Sequence, residues 1–264
     1  MKHEVKKYIR LWFFMTANSF QISLVNRFAA GMFLLGKILR FSFFMLFIII
    51  LLGSTKTLAN YTYTQVLIFF LTFNVIDTAV QLVFREVYRF RTLVVSGDFD
   101  LILEKPINPL FRVMAGGADA LDLIMLFPYI LFLVIVASQA GYLTFINVVV
   151  FLILLVNGFI MATAFHILVV AITLLTSEID QAIMIYRDLS SLGRFSIDLY
   201  KEPIHFLMTY LIPIAAMVTV PAKALMGIIS VQNILYSFFF SFGLFWFSMV
   251  VWRRALRDYS SASS

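Results

Sequence analysis

The 264-residue chain is predicted to be all-α: a polytopic membrane protein with six transmembrane helices, preceded by an amphipathic helix in the membrane interface. Three observations lead there. First, 62% of the residues are apolar and 13% charged, where a soluble domain has roughly half and ~25%. One water-solvated core of this size could not hide 30 Phe, 11 Tyr and 3 Trp. Second, apolar runs recur at about the 20-residue length that a helix needs to cross a bilayer. The longest stretch without Asp, Glu, Lys or Arg, Leu123 to Ser177, covers 55 residues and holds two spans around the turn Ser138-Gln139-Ala140-Gly141. Third, Lys and Arg crowd into alternate connections.

Taken in order, Val5, Ile9, Trp12, Met15 and Phe20 recur at helical spacing beside Lys2, Lys6, Lys7 and Arg10, which gives an amphipathic helix over 5–24. It lies in the interface or packs on the protein itself. Asn18, Gln21, Asn26 and Arg27 interrupt what would be the apolar core of a cleavable signal peptide. Spans follow at about 37–56, 63–84, 117–138, 144–172, 204–221 and 230–252. Thr144 to Thr176 is 33 residues long, more than a ~30 Å hydrocarbon core accommodates upright. It should therefore tilt, protrude or bend, with Asn157-Gly158 as the flexure. With this assignment eighteen of the twenty basic residues share one face and only Lys56 and Lys223 lie on the other. The basic face is the cytoplasmic one, so both termini are expected in the cytoplasm. The two long polar connections, Arg85 to Arg112 and Ser177 to Pro203, would lie there too.

Cysteine is absent, which excludes disulfides, thiolate metal sites and cysteine nucleophiles. His3, His166 and His205 form no ligand spacing, and no metal site is expected. The net charge of +6 is loop bias and not a nucleic-acid surface. Gly31 to Lys37 matches the glycine spacing of a phosphate loop, but Ile38 replaces the hydroxyl that binds Mg²⁺, and the four intervening residues are apolar. Leu189-Ser-Ser-Leu-Gly193 only approximates an ATPase signature; Gly193 suits a left-handed helix cap. The chain is not expected to be an enzyme.

Asp77 is the one carboxylate deep in a span, and Asn74 and Gln81 share its helix face. An ion in hydrocarbon costs several kcal/mol unless it faces water or a partner, which marks this trio as a pathway or interhelical polar site. Asn157 and His166 are further candidates, His166 as an interhelical hydrogen-bonding residue. Asp119 and Asp122 suit the start of the third span. The most informative stretch runs from Ser96 to Leu110. Gly97 breaks the chain, Asp98 can cap a helix of about two turns, and Pro106 ends it; Phe99, Ile102 and Leu103 form one side and Asp100 and Glu104 another.

Here the chain resembles the ABC-2 class of ABC transporter permeases, in particular small six-span bacterial members with a cytoplasmic G-x-(F/L)-D-x-x-L-x-(K/R)-P loop. Gly97, Phe99, Asp100, Leu103, Lys105 and Pro106 approximate that pattern, with Glu104 preceding Lys105, and the tail Ala255-Leu-Arg-Asp-Tyr259-Ser-Ser-Ala-Ser263 is similar. The resemblance implies one transmembrane permease domain over 1–264 with a type V exporter-like fold, in the bacterial inner membrane. It also implies a coupling loop over 85–112, whose helix Asp98 to Lys105 engages cytosolic ATPase subunits, and a hairpin of Pro213, Pro221 and Lys223 to Ile229 before the last span. A second permease, identical or homologous, and membrane lipid would be the other partners. ATP and Mg would be bound by the ATPases and not by this chain. Export of amphipathic, lipid-like or drug-like compounds is the implied activity; a stand-alone proton-coupled transporter using Asp77 is the alternative.

Overall fold

The computed structural model describes residues 2–55, 57–176 and 182–260; Lys56 and the tail beyond Ser260 lie outside the described residues. Helix α1 (Lys2–Val25) is followed by α2 (Arg27–Thr55), a two-stranded hairpin of β1 (Thr57–Leu58) and β2 (Tyr61–Thr62), and α3 (Tyr63–Phe84). A 3₁₀ turn, Arg85–Arg89, leads into three short helices, α4 (Phe90–Val95), α5 (Asp98–Leu103) and α6 (Pro109–Met114). Then come α7 (Ala120–Gln139), α8 (Phe145–Leu175), α9 (Ala182–Ser191), α10 (Ile204–Phe206), α11 (Val220–Leu225) and α12 (Val231–Asp258). Five segments are long and apolar enough to cross a membrane: Arg27–Gly53, Tyr63–Val95, Ala120–Gln139, Phe145–Leu175 and Val231–Asp258.

The long helices start where the sequence supplies a side-chain oxygen for the first free amides. Asp119 accepts from the N–H groups of Leu121 (2.8 Å) and Asp122 (3.2 Å), Thr144 from Asn147 (3.3 Å), and Ser230 from Asn233 (3.3 Å). Such a cap contributes about 1 kcal/mol to helix stability. Gln65 reaches back to the N–H of Thr62 at 2.9 Å, which fixes the start of α3.

The bundle has two distinct ends. At one, the chain between α3 and α7 forms a connector against which both terminal helices pack. Lys7 Nζ donates to the carbonyl of Pro106 (2.9 Å), Tyr8 OH accepts from the N–H of Asn108 (3.0 Å), and Tyr259 OH donates to Asp100 (3.0 Å). The other end carries the hairpin with Tyr61, the α7–α8 turn, and Gly227 beside Asn147.

The segment after α8 departs from the expected topology. Residues 182–199 were expected in the polar connection Ser177 to Pro203, on the same side as Arg85 to Arg112; instead they run the length of the bundle. Tyr186 meets His166 near the end of α8, Arg194 lies against Phe44 and Phe73 at mid-bundle, and Asp198 meets Tyr61 at the far end. Hydropathy misses this passage because Arg187, Asp188, Arg194 and Asp198 interrupt it. Arg187 and Arg194 line a polar cavity and Asp198 is held by Lys223 and Tyr61, while Asp188 is exposed. The segment expected as the fifth span, 204–221, is correspondingly not a straight crossing. Its two halves, Ile204–Leu211 and Ala215–Leu225, are bent by 74° at Pro213, which has no amide hydrogen to continue the helical ladder. Both of its ends belong to the Tyr61 end: Lys201 follows Asp198 closely, and Lys223 Nζ pairs with Asp198 Oδ2 at 2.7 Å. Its bend reaches inward to Gly193 and Gly158. Among the described residues, five long helices and the passage 182–199 run along the bundle, and 204–225 dips in and returns.

Two glycine readings change with it. Gly193 does not cap a helix in the left-handed region; it lies in a 3₁₀ turn, Leu192–Arg194, where an added Cβ would sit 2.7 Å from Ile214 Cγ2. At Asn157-Gly158 the helix is unbroken, since α8 runs from Phe145 to Leu175. Gly158 admits the backbone of Met217, and Asn157 bonds to Ser237 at 2.7 Å and accepts from Ser241, which ties α8 to α12.

Asp198 closes the Tyr61 end. It accepts from Tyr61 OH (2.5 Å) and Ser196 Oγ (2.7 Å) besides pairing with Lys223. Burial and this same carboxylate push the Tyr61 hydroxyl up. The absence of cysteine permits a direct check of the topology. In single-cysteine variants, Lys201→Cys and Gln139→Cys should react with a membrane-impermeant maleimide from one side of sealed vesicles, and Leu101→Cys only from the other. Labelling of Lys201→Cys together with Leu101→Cys would restore the original placement.

Candidate functional site

Three of the five intramembrane candidates converge. Asn74, Asp77 and Gln81 on α3 open onto a cavity of about 570 Å³ bounded by α2, α3, the start of α7 and the passage 184–194. Gln81 Nε2 donates to Asp77 Oδ2 at 2.7 Å, and Asn74 Nδ2 donates to the carbonyl of Phe70 at 2.7 Å. One turn of helix separates these positions, so the face predicted by spacing is the face that lines the cavity. The other two lie elsewhere. Asn157 is buried at the α8–α12 contact. His166 is also fully buried, but its Nδ1 bonds the carbonyl of Ala162 (2.8 Å) within its own helix; what it offers other elements is its ring, against Phe84 and Tyr186. The expected interhelical hydrogen bond from His166 is thus replaced by ring packing.

The sequence reading missed most of the cavity's charge. Six cations line it: Lys37, Arg40, Arg85, Arg89, Arg187 and Arg194. Lys37 pairs with Asp122, Arg85 Nε with Asp119 Oδ2 (3.2 Å), and Arg89 with Glu86 (3.0 Å). Asp119 therefore both caps α7 and holds Arg85, and Asp122, one residue into the buried face, fixes Lys37 of α2. The signal was present in the sequence, since Lys37 and Arg40 sit inside an apolar run. Arg187 and Arg194, however, looked like loop residues.

The residues expected to engage an ATPase are also placed. Gly97 takes φ 79°, the left-handed turn that lets α5 reverse over α4. It is Gly97, not Asp98, that occupies the cap position; Asp98 accepts from Ser96 Oγ at 2.7 Å. The apolar side splits differently from expectation. Phe99 (0% exposed) and Ile102 (5%) face inward, Phe99 edge-on between Phe90 (5.2 Å) and Tyr259 (5.3 Å), whereas Leu103 is 36% exposed and Leu101 55%. Asp98, Glu104, Lys105 and Pro106 are exposed around them. Asp100 is occupied by Tyr259. Phe99 and Ile102 belong to the same packed core as Met161 and Val170 of α8 and Trp252 and Ala255 of α12, so α5 is rigidly continuous with the membrane helices. Sequence reasoning missed Phe90 and Tyr8 as braces; the Tyr259 tail was the one available sign.

Comparison with protein families decides what this architecture is. A model described as ABC-2 family transporter protein matches residues 38–263. The chain belongs to the ABC-2 family. It is accordingly a transport subunit, the membrane component of an ABC transporter, and not a catalytic domain. No curated protein and no solved structure matches it. The family match begins in α2 just after Lys37 and takes in the connector and the rest of the cavity lining. Among the described residues no group of His, Asp and Glu is placed to hold a metal ion.

Proposed function

We propose that this chain is the membrane subunit of an ATP-driven exporter of amphipathic, lipid-like or drug-like compounds, paired with a second permease and energised by two cytosolic ATPase subunits. The observation that carries the reading is the connector. Its short helix α5 turns Leu101 and Leu103 outward while Phe99 locks it into the core shared with α8 and α12. A partner that gripped the exposed side would move rigid helices and not a loose loop. ATP and Mg belong to those partners. The connector end is cytoplasmic in this reading, with both termini, because Lys6, Lys7, Arg10, Arg85, Arg89, Arg91, Lys105, Arg112, Arg253, Arg254 and Arg257 gather there. A bacterial inner membrane is the setting.

Leu101→Asp with Leu103→Asp should abolish co-purification of the ATPase and ATP-dependent transport, with membrane insertion and thermal stability unchanged. Retention of a fully associated, stimulated ATPase by the double variant would remove α5 from the contact. The alternative, a stand-alone proton-coupled transporter, draws on Asp77 facing the cavity; pH-driven transport in liposomes without any ATPase would establish it instead.

A further inference from the structure

We infer that the cavity between α2, α3 and the passage 184–194 binds the anionic group of an amphipathic molecule, a phosphate or carboxylate carried on an apolar body. The inference rests on the transport reading above and deepens it to a substrate class. Its basis is a charge balance. Lys37, Arg85 and Arg89 each have a carboxylate partner. Among the described residues Arg40, Arg187 and Arg194 make no ion pair, and Asp77, already bonded to Gln81, is the one further carboxylate lining the cavity with them. Three guanidinium groups from three different elements thus share one carboxylate within the membrane-embedded part of the protein. Unpaired charge there costs several kcal/mol per ion unless water or a counter-ion meets it. Arginine is the side chain whose planar fork matches phosphate and carboxylate oxygens two at a time.

The geometry also holds one of these groups in readiness. The Arg194 guanidinium carbon lies 5.1 Å from the Phe44 ring centre and 5.5 Å from that of Phe73. Its plane is therefore set by packing and less rotamer freedom is lost when an anion arrives. The adjoining wall is aromatic: Phe44 and Phe41 stack on Phe70 with centroids 5.0 and 5.5 Å apart, and Tyr129 joins Phe41 at 4.8 Å. Cations beside a continuous aromatic wall fit a head and a body, not a free ion.

The test uses the purified full-length chain in a neutral maltoside detergent, titrated with dodecyl phosphate, dodecylphosphocholine or inorganic phosphate and read by thermal unfolding. Dodecyl phosphate should raise the midpoint in a saturable way. In Arg187→Gln/Arg194→Gln its affinity should fall tenfold or more, with partial recovery in the Lys/Lys pair. Arg254→Gln, on the exposed last turn of α12, should bind as the native chain does. Arg40→Gln on α2 provides an independent variant if the double one does not fold, and should show the same direction. Inorganic phosphate should need at least tenfold higher concentration, and dodecylphosphocholine should give no charge-dependent shift. Undiminished dodecyl phosphate binding in the arginine variants, or equal binding of dodecylphosphocholine, overturns the anion site. Equal binding of inorganic phosphate overturns the amphiphile. None of these readouts involves an ATPase, so a failure of the coupling experiment above is separable from a failure here.

Discussion

Phe99→Asp is expected to unfold the connector, with a loss of more than about 4 kcal/mol of stability. Truncating a buried Phe alone costs about 3–5 kcal/mol, and the introduced carboxylate would meet no donor between the rings of Phe90 and Tyr259. Because Phe99 shares its core with α8 and α12, the loss should reach the membrane helices, and the variant should aggregate on size exclusion or melt far below the native chain. Leu103→Asp, at an exposed position of the same short helix, should melt within about 0.5 kcal/mol of native, as surface substitutions do. Equal stability of the two variants would contradict the inward placement of Phe99. The comparison also separates two effects that a transport assay alone would confuse: loss of the ATPase contact and loss of the fold.

Gly158→Leu is the second large effect. Even a Cβ at this position would lie 2.5 Å from the carbonyl oxygen of Met217 and 3.4 Å from its carbon. The obstacle is backbone, so α8 and the inward tip of 204–225 must part. Overpacking of this kind costs about 1–3 kcal/mol for modest additions, and the leucine should exceed that range, with Gly158→Ala near its middle. The separation would also stretch the Asn157 bonds to Ser237 and Ser241 one residue away. Gly243→Ala is the control. Gly243 lies in α12 with nothing within 4 Å of an added Cβ, so alanine should be neutral or gain up to about 1 kcal/mol from helix propensity. Thermal melts of the three variants in one detergent measure the difference; a Gly158→Ala melt no lower than that of Gly243→Ala would mean that the close approach is absent.

Much was legible in the sequence because membrane proteins carry few ways to satisfy a backbone. Apolar length fixes where helices must be, caps at Asp119, Thr144 and Ser230 fix where they start, and a three- or four-residue spacing puts Asn74, Asp77 and Gln81 on one face. These are local properties of a single segment. So is the short helix after Gly97, and the resemblance drawn from it agrees with the family match over 38–263.

What the sequence did not determine depends on which segments meet. The passage 182–199 carries too many charges to register as a crossing by hydropathy, and only the contacts of Tyr186 with His166 on α8, Arg194 with Phe73 on α3 and Asp198 with Tyr61 in the hairpin reveal one. The same rearrangement turns 204–225 into a hairpin and moves Arg187 and Arg194 from a presumed loop to the cavity wall. Which side of α5 is apolar inward was likewise a tertiary matter, because Phe99, Leu101 and Leu103 are all apolar and packing against Phe90 and the distant Tyr259, α8 and α12 chooses among them. Local chemistry determined the helices, their ends and the polar face of α3. The tertiary structure alone decided the charge of the cavity and the outward face of the connector, since charge pairing and burial are properties of neighbours far apart in the chain.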